Sequence, residues 1–381
     1  MRKIRTAVIG GGFMGRVHSE AILRLGHVEI AAVAARTEEK ARSFAASVGV
    51  ERYTSDQATL FNDATIEAVH ICTPNALHHP IAKAAIEAGK HVLCEKPLAM
   101  SSAEAREMLE LANAKGVIHC VNHNLRYYPV VQHIREMIRS GELGDVVAVQ
   151  GTYSQDWLLY DTDWNWRVVR QDNGDLRVVG DIGSHWMDMI QHLTGLQITA
   201  LCADINTVHK TRKRPKGSIE TFAGKTLQPE DYEEVPIDTE DFAAVLLHLG
   251  DRARGAYTVS QVSAGCKNRF QVEIYGTKCG VMWNQERPDE LWIGHRNSPN
   301  QTIVKDPSLL HPRAAGFADL PGGHGEGYDD THKQVFRRFY RKIAEPSCPA
   351  DFPTFEDGLR GMQLIEKVGE SASRRGWVDT V

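Results

Sequence analysis

Ile4-Arg5-Thr6-Ala7-Val8-Ile9-Gly10-Gly11-Gly12-Phe13-Met14-Gly15 is a short apolar run that stops at glycine and hands over to a helical pattern from about Met14 to Leu25. The turn has the form G-x-G-x-x-G, between a strand and a helix. The three glycines act differently. Gly10 permits the tight turn, Gly12 lets the backbone approach a pyrophosphate, and Gly15 lets the helix pack close to the strand. The helix start, with Phe13 and Met14, then offers N–H groups and the positive end of a dipole to phosphates. In this context the turn predicts dinucleotide binding.

Outward from that turn, strand and helix patterns alternate. Val28–Ala34, Ala68–Cys72, His91–Cys94 and Val117–Val121 read as strands, and Glu38–Val48 and Ala76–Ala88 read as helices. A helix to Lys115 opens on the pair Ser101 and Glu104, spaced as a capping box. Such alternation predicts an α/β fold with a doubly wound parallel sheet. The pattern changes after about residue 125. A helix over 130–140 and a strand over 146–153 lead to an aromatic, charged loop from Ser154 to Gly180. A helix over 181–194 is followed by several strand patterns up to Val304 and two closing helices, about 328–344 and 356–374. The expectation is two domains, 1–124 and 125–381, the second α+β with a large, mostly antiparallel open sheet.

The chain has 381 residues, 42% hydrophobic and 24% charged, with net charge −5, so nothing global attracts nucleic acid or an anionic membrane. The basic run Lys210, Arg212, Lys213, Arg214, Lys216 reads as a solvated loop. Seven cysteines, with no C-x-x-C pair, read as buried thiols in a reducing compartment. No apolar run approaches the roughly 20 residues of a membrane helix, and no signal peptide is seen, so the expected location is the cytoplasm.

The second strand should end in a carboxylate if it grips the ribose hydroxyls of NAD. Ala35 stands there, followed by Arg36, which could pair with a 2′-phosphate. The sequence therefore admits NADP or NAD and tilts toward NADP. Glu95-Lys96-Pro97 ends a parallel strand at the edge where open α/β sheets bind ligands, so Lys96 can meet the reacting part of the cofactor; a strand-end salt bridge is the alternative. In the helix from Asp181, the residues Asp181, His185, Asp188 and His192 are spaced four, three and four and share one face, while Ile182, Trp186, Met189 and Leu193 form an apolar stripe. Asp181 and His185, at i and i+4, can hydrogen bond and so orient a general base. Two Asp and two His could also ligate a divalent ion, but hydride transfer from an alcohol needs none, and no metal is expected.

Four features in order, the glycine turn, Thr73-Pro74-Asn75 with His78, Glu95-Lys96-Pro97 and Asp181-x-x-x-His185, resemble the glucose–fructose oxidoreductase / inositol dehydrogenase / MocA family. The resemblance spans essentially the whole chain, including Phe355-Glu356-Asp357-Gly358 and Gly376-Trp377-Val378-Asp379. It implies a Rossmann domain and a second domain whose open sheet usually mediates oligomers, here a dimer or tetramer. It implies hydride transfer at a sugar, inositol or related secondary alcohol. By the motif match, Lys96 would hydrogen bond the reacting oxygen, His185 would be the acid/base and Asp181 its partner. Thr73, Pro74, Asn75, His78 and Glu95 would line the cofactor. Two positions depart from many relatives: Ala35 replaces an acid, and Gly174-Asp175 replaces a Gly-Gly pair.

The loop Gln155-Asp156-Trp157 to Asp163-Trp164-Asn165-Trp166-Arg167 points to a sugar or polyol, because aromatic faces stack on sugar rings while Asp, Asn and Arg read hydroxyls. Trp157, Asp163, Trp166 and Arg167 are the candidate substrate residues, with Arg126 and with His324 from a glycine-rich loop taken to be mobile. A subunit interface is the competing use of these tryptophans. Two other functions compete with a dehydrogenase: a glycosidase using tightly held NAD for transient oxidation, and a non-enzymatic dinucleotide sensor, which should lack Lys96, Asp181 and His185.

Overall fold

The computed structural model describes residues 2–217 and 231–380. The chain divides into two compact units, Met1–Tyr127 with Gly327–Met362, and Tyr128–Glu326 with Gln363–Val381. The turning point near residue 125 is where the pattern changed. The segment Gly327–Met362, expected in the second domain, belongs instead to the first unit.

In the first unit, β1 (Ile4–Ile9), β2 (Val28–Ala34), β3 (Tyr53–Thr54), β4 (Ala68–Ile71), β5 (His91–Cys94) and β6 (His119–Val121) form one sheet in the order β3-β2-β1-β4-β5-β6. Every neighbouring pair is parallel. The strand order reverses between β1 and β4, which puts a ligand crevice at the carboxyl ends of those two strands. The strands are buried through, with Ile4, Ala7, Val8, Val33, Val69 and Val92 wholly enclosed, as a sheet covered on both faces demands. The helix Glu38–Val48 is capped by Thr37, which accepts Lys40 N–H, and ends at Gly49 in a left-handed conformation, φ 69°. Ser101 caps Ser102–Lys115 by accepting Glu104 N–H, but the Glu104 carboxylate reaches past the cap to Met100 N–H, 2.9 Å away.

The helix Tyr328–Ala344 joins this unit through its apolar face. Phe336, Phe339 and Tyr340 are fully buried, and the Tyr340 ring stacks on His70 of β4, centroids 5.8 Å apart. An amphipathic pattern shows that a helix has a face to bury but not which core receives it, which is why the sequence misassigned this segment.

The second unit is organised on a nine-stranded sheet of β7 (Val146–Ser154), β8 (Ile198–Asn206), β11 (Phe242–Leu249), β12 (Ala253–Ser260), β13 (Arg269–Gly276), β14 (Gly280–Asn284), β15 (Glu290–Gly294), β16 (Gln301–Val304) and β17 (Val378–Asp379), while β9 (Thr211–Pro215) and β10 (Tyr232–Pro236) form a separate pair. The order is β16-β15-β14-β13-β7-β12-β11-β8-β17. All contacts are antiparallel except β7 with β12. Burial alternates along β11, with Ala243, Val245, Leu247 and Leu249 on the covered face and Leu246 on the open one.

The helix Ser184–Thr194 lies on the covered face and is seated by one residue. Trp186 is fully buried, its indole N–H donates to the Gln271 carbonyl at 3.1 Å, and its ring stacks on Tyr257 at 4.5 Å. Gly151 of β7 makes the room: a Cβ there would sit 2.5 Å from the indole nitrogen and 2.1 Å from the Gln271 oxygen. The apolar stripe read from the sequence, Ile182, Trp186, Met189 and Leu193, is buried, and it fixes where His185 stands.

Candidate active site

The glycine turn closes on backbone. Gly10 has φ 111°, and a Cβ there would lie 2.5 Å from the Cys72 carbonyl oxygen at the end of β4; a Cβ on Gly15 would lie 1.9 Å from the Gly10 oxygen. Both are places only glycine fits. Gly12 is different: a Cβ there meets nothing within 4 Å. Its absence opens space rather than relieving contact, and Gly12 heads the helix Phe13–Leu23, whose first N–H groups lack helical partners. Thr73 Oγ1, in the turn after β4, is buried and has no hydrogen-bond partner among the described residues. This set fits a dinucleotide pyrophosphate. Phe13 is half exposed, and Met14 accepts a hydrogen bond from the Tyr328 hydroxyl. Ala35 is half-buried and Arg36 exposed at the end of β2.

Two further turns lie at the same sheet edge, Thr73-Pro74-Asn75 and Glu95-Lys96-Pro97, and His78 ties them together. Its ring is fully buried, with Nδ1 2.8 Å from the Pro97 carbonyl and Nε2 2.9 Å from the Thr73 carbonyl. Burial pushes its pKa below the ordinary value, so the neutral ring donates to one carbonyl at a time. His78 thus braces the wall from behind. Asn75 is buried, while Thr73, Pro74 and Lys96 are half-buried.

Glu95 also faces inward. Its Oε1 meets His18 Nε2 at 2.8 Å and the Asn122 amide; its Oε2 accepts Lys96 N–H at 3.2 Å. Burial alone would raise its pKa, but the His18 hydrogen bond and the charges of His18 and Lys96 outweigh burial and hold the carboxylate well below its usual range. The network continues. His18 Nδ1 lies 2.9 Å from His70 Nδ1, His70 Nε2 lies 2.8 Å from the Tyr340 hydroxyl, and Asn122 Nδ2 lies 3.1 Å from His332 Nδ1. Glu95 can only accept, so His18 donates to it from Nε2, and the facing Nδ1 atoms of His18 and His70 share one proton between them. The chain runs from Tyr340 to Glu95, whose other oxygen accepts Lys96 N–H. His18, His70, Asn122, His332 and Tyr340 went unmarked in the sequence. His18 could have been found, since it sits one helical turn beyond Gly15 on the helix that opens at the phosphate turn. Arg126 is buried and donates to Asp357 Oδ1 at 2.7 Å. Burial pushes the Asp357 carboxyl up, but Arg126 beside it holds it below its ordinary value.

In the second unit, Asp181 stands not in a regular α-helix but in a π turn, Val179–Gly183, that leads into Ser184–Thr194. A π turn carries an extra residue. The turn leads directly into the helix that carries His185. Asp181, His185 and Asp188 are all buried. Asp181 Oδ1 accepts Arg167 Nε at 3.2 Å, and Oδ2 accepts the Gln261 amide at 2.8 Å. The Arg167 guanidinium also lies over Trp166, 4.5 Å from the ring centroid, and 6.0 Å from that of Trp157. The structure thus brings Trp157, Trp166, Arg167 and Asp181 into one cluster.

The aromatic loop is folded, not loose. Trp157 and Trp164 pack on a small core of Leu158, Val168 and Ile237. Asp163 accepts Tyr160 N–H at 2.7 Å, closing its own turn. The basic run expected as a solvated loop is strand β9 instead. Arg214 pairs with Glu233 across β9 and β10, Lys213 pairs with Asp161, and Arg212 is wholly buried. Arg212 donates to the carbonyls of Leu158, Tyr160 and Asp163 at 3.0, 2.9 and 3.2 Å, and so holds the loop's shape. The His324 side chain is exposed, and buried Lys305 donates to the His324 carbonyl at 2.7 Å and to Glu326 at 2.6 Å.

A glycine turn at a switch point and a lysine at the sheet edge define, in the first unit, the nucleotide half of a nicotinamide-dependent oxidoreductase. Comparison with known proteins agrees. Residues 4–123 match the oxidoreductase family with an NAD-binding Rossmann fold, and residues 131–282 match the GFO/IDH/MocA C-terminal domain. Levoglucosan dehydrogenase of Pseudarthrobacter phenanthrenivorans is 31% identical over 393 residues, covering 100% of this chain and 98% of that protein. Glucose-6-phosphate 3-dehydrogenase of Bacillus subtilis is 28% identical, covering 98% and 97%. A solved levoglucosan dehydrogenase in complex with NADH and levoglucosan superposes with TM-score 0.89 at 30% identity, over 100% of both chains. The chain belongs to the glucose–fructose oxidoreductase / inositol dehydrogenase / MocA family.

The buried histidines make a pH prediction. Burial, with His18 close by, lowers the His332 pKa to about 3, and burial lowers that of His70 as well. In the unfolded chain both take up a proton near pH 6.5. The folded state binds fewer protons, so stability falls as pH drops from about 6.5 toward 3. The melting temperature should decline over that range. In His332→Leu the acid-side decline should be shallower; an unchanged slope would remove His332 from the account.

Proposed function

We propose that the chain transfers a hydride between NAD or NADP and a secondary hydroxyl carbon of a pyranose or related sugar. The observation that carries this reading is the full-length match to a levoglucosan dehydrogenase in a chain that has Lys96, Asp181 and His185 at the family's motif positions. When bound, the nicotinamide supplies the hydride acceptor. A hydroxyl carbon cannot give up hydride until its O–H proton is leaving. By its motif position His185 is the base for that proton, and by its motif position Lys96 is the donor that stabilises the developing charge. Asp181 supports the ring as it becomes cationic. The C–O bond becomes a carbonyl, and reduction runs through the same groups in reverse.

The tryptophan cluster supports a ring-shaped polyol as substrate. Ala35 and the exposed Arg36 support acceptance of a 2′-phosphate. The open face of the nine-stranded sheet carries Leu246 and Met282 exposed and Trp292 half-buried, which supports assembly of a homo-oligomer through it. All seven cysteines are free, which suits a reducing compartment such as the cytoplasm. Among the described residues no helix is long and apolar enough to cross a membrane.

A panel of levoglucosan, glucose, glucose 6-phosphate, myo-inositol and glycosides, each with NAD and with NADP, tests the reading through formation of reduced nicotinamide. At least one sugar should turn over. His185→Ala and Lys96→Ala should each lower kcat at least about a hundredfold with cofactor binding retained. Near-normal turnover by His185→Ala would move the proton to another group. Arg36→Ala should weaken NADP more than NAD, and equal effects on both would exclude it as a phosphate ligand.

A further inference from the structure

We propose that Gln261 is a positioning residue for this reaction, holding Asp181 in place through a buried ionic network. The inference rests on the reading of Asp181 as the partner of His185. Gln261 follows β12 and is wholly buried. Its Oε1 accepts Arg177 Nη1 at 3.2 Å, and its Nε2 donates to Asp181 Oδ2 at 2.8 Å. The orientation of the amide follows from chemistry alone. A guanidinium can only donate and a carboxylate can only accept, so the oxygen must face Arg177 and the nitrogen must face Asp181.

What lies behind Gln261 makes it rigid. Arg177 is paired with Asp241, and both are 0% exposed. Asp241 is shared with Arg212, 2.7 Å away, and accepts the N–H groups of Val208 and His209 at 2.8 and 3.0 Å. Gln261 N–H is bound to the Asp241 carbonyl at 3.1 Å. The neighbouring Glu240 accepts Arg177 N–H at 2.8 Å and Val179 N–H at 3.0 Å, which anchors the start of the π turn that carries Asp181. Two guanidinium groups share one carboxylate, and Gln261 links that set to the Asp181 oxygen through its two hydrogen bonds. Gln261 touches no reacting atom in this arrangement. It sets the direction of the carboxylate that does the orienting.

An isosteric exchange separates this role from packing. Gln261→Glu keeps the volume and still accepts from Arg177, but it places a second carboxylate at hydrogen-bond distance from Asp181. Like charges that close cannot both ionise, so the pair shares a proton. With NAD and the best sugar of the panel, kcat should fall about tenfold to a hundredfold, the range for loss of an outer partner of a working group. The KM for NAD and the melting temperature should stay near those of the parent. Gln261→Met, neutral and of similar length, should fall in the same direction. In an Asp181→Asn background neither exchange should cost more, because both act through Asp181. Retained kcat in both variants, or losses that add to that of Asp181→Asn, would overturn the proposal. An Asp181→Asn enzyme with normal kcat would instead overturn the reading of the site itself.

Discussion

Asp241 is a carboxylate with no exposure, shared between two guanidinium groups that are themselves fully buried. Burial would push its carboxyl up, but Arg177 and Arg212 outweigh it and hold the group charged. Removing one member of such a set leaves an uncompensated buried charge, at about 3–5 kcal/mol. Two separate pieces of structure hang from it. Through Arg212 it gathers the carbonyls of the tryptophan loop, and through Arg177 and Gln261 it reaches Asp181. The groups that would hold a sugar and the carboxylate that would support its oxidation share one electrostatic anchor.

The first unit solves a parallel problem with different residues. Lys96 follows immediately after a buried, ionised Glu95, and Glu95 is satisfied by His18 and Asn122. The carboxylate before the lysine is held by a chain of hydrogen bonds that ends at Tyr340, 270 residues from His70 in sequence. Segment Gly327–Met362 returns to this unit and supplies His332 and Tyr340 to that network. In both units a buried carboxylate held by hydrogen bonds, Glu95 in one and Asp181 in the other, belongs to the proposed machinery.

Much of this was legible where the backbone itself is the constraint. The glycines at 10, 12 and 15 could be told apart by their places in the turn, and for Gly10 and Gly15 the difference appears as contacts a Cβ would make. Long apolar strands such as Val28–Ala34 were readable to the residue. Two-residue β3 was not, because two positions carry no period. Thr211–Pro215 was misread because a buried arginine has the same letter as a solvated one. Only the acceptors around Arg212, drawn from residues 158 to 241, distinguish them. The π turn Val179–Gly183 was not legible in the spacing of Asp181 and His185, and the Glu240 carboxylate that accepts Val179 N–H at its start lies 61 residues away in sequence. Side-chain networks of this kind are set by long-range proximity that local spacing does not encode.

The central claim, net hydride transfer from a sugar to nicotinamide, is tested most directly by a single-turnover experiment. Enzyme loaded with NAD is mixed with the sugar chosen from the panel, unlabelled or deuterated at the carbon to be oxidised, and reduced nicotinamide is followed alongside sugar consumption. The account predicts one NADH for each sugar consumed, formed more slowly from the deuterated substrate. Sugar consumed with no accumulation of NADH would contradict it and point to transient oxidation with the hydride returned.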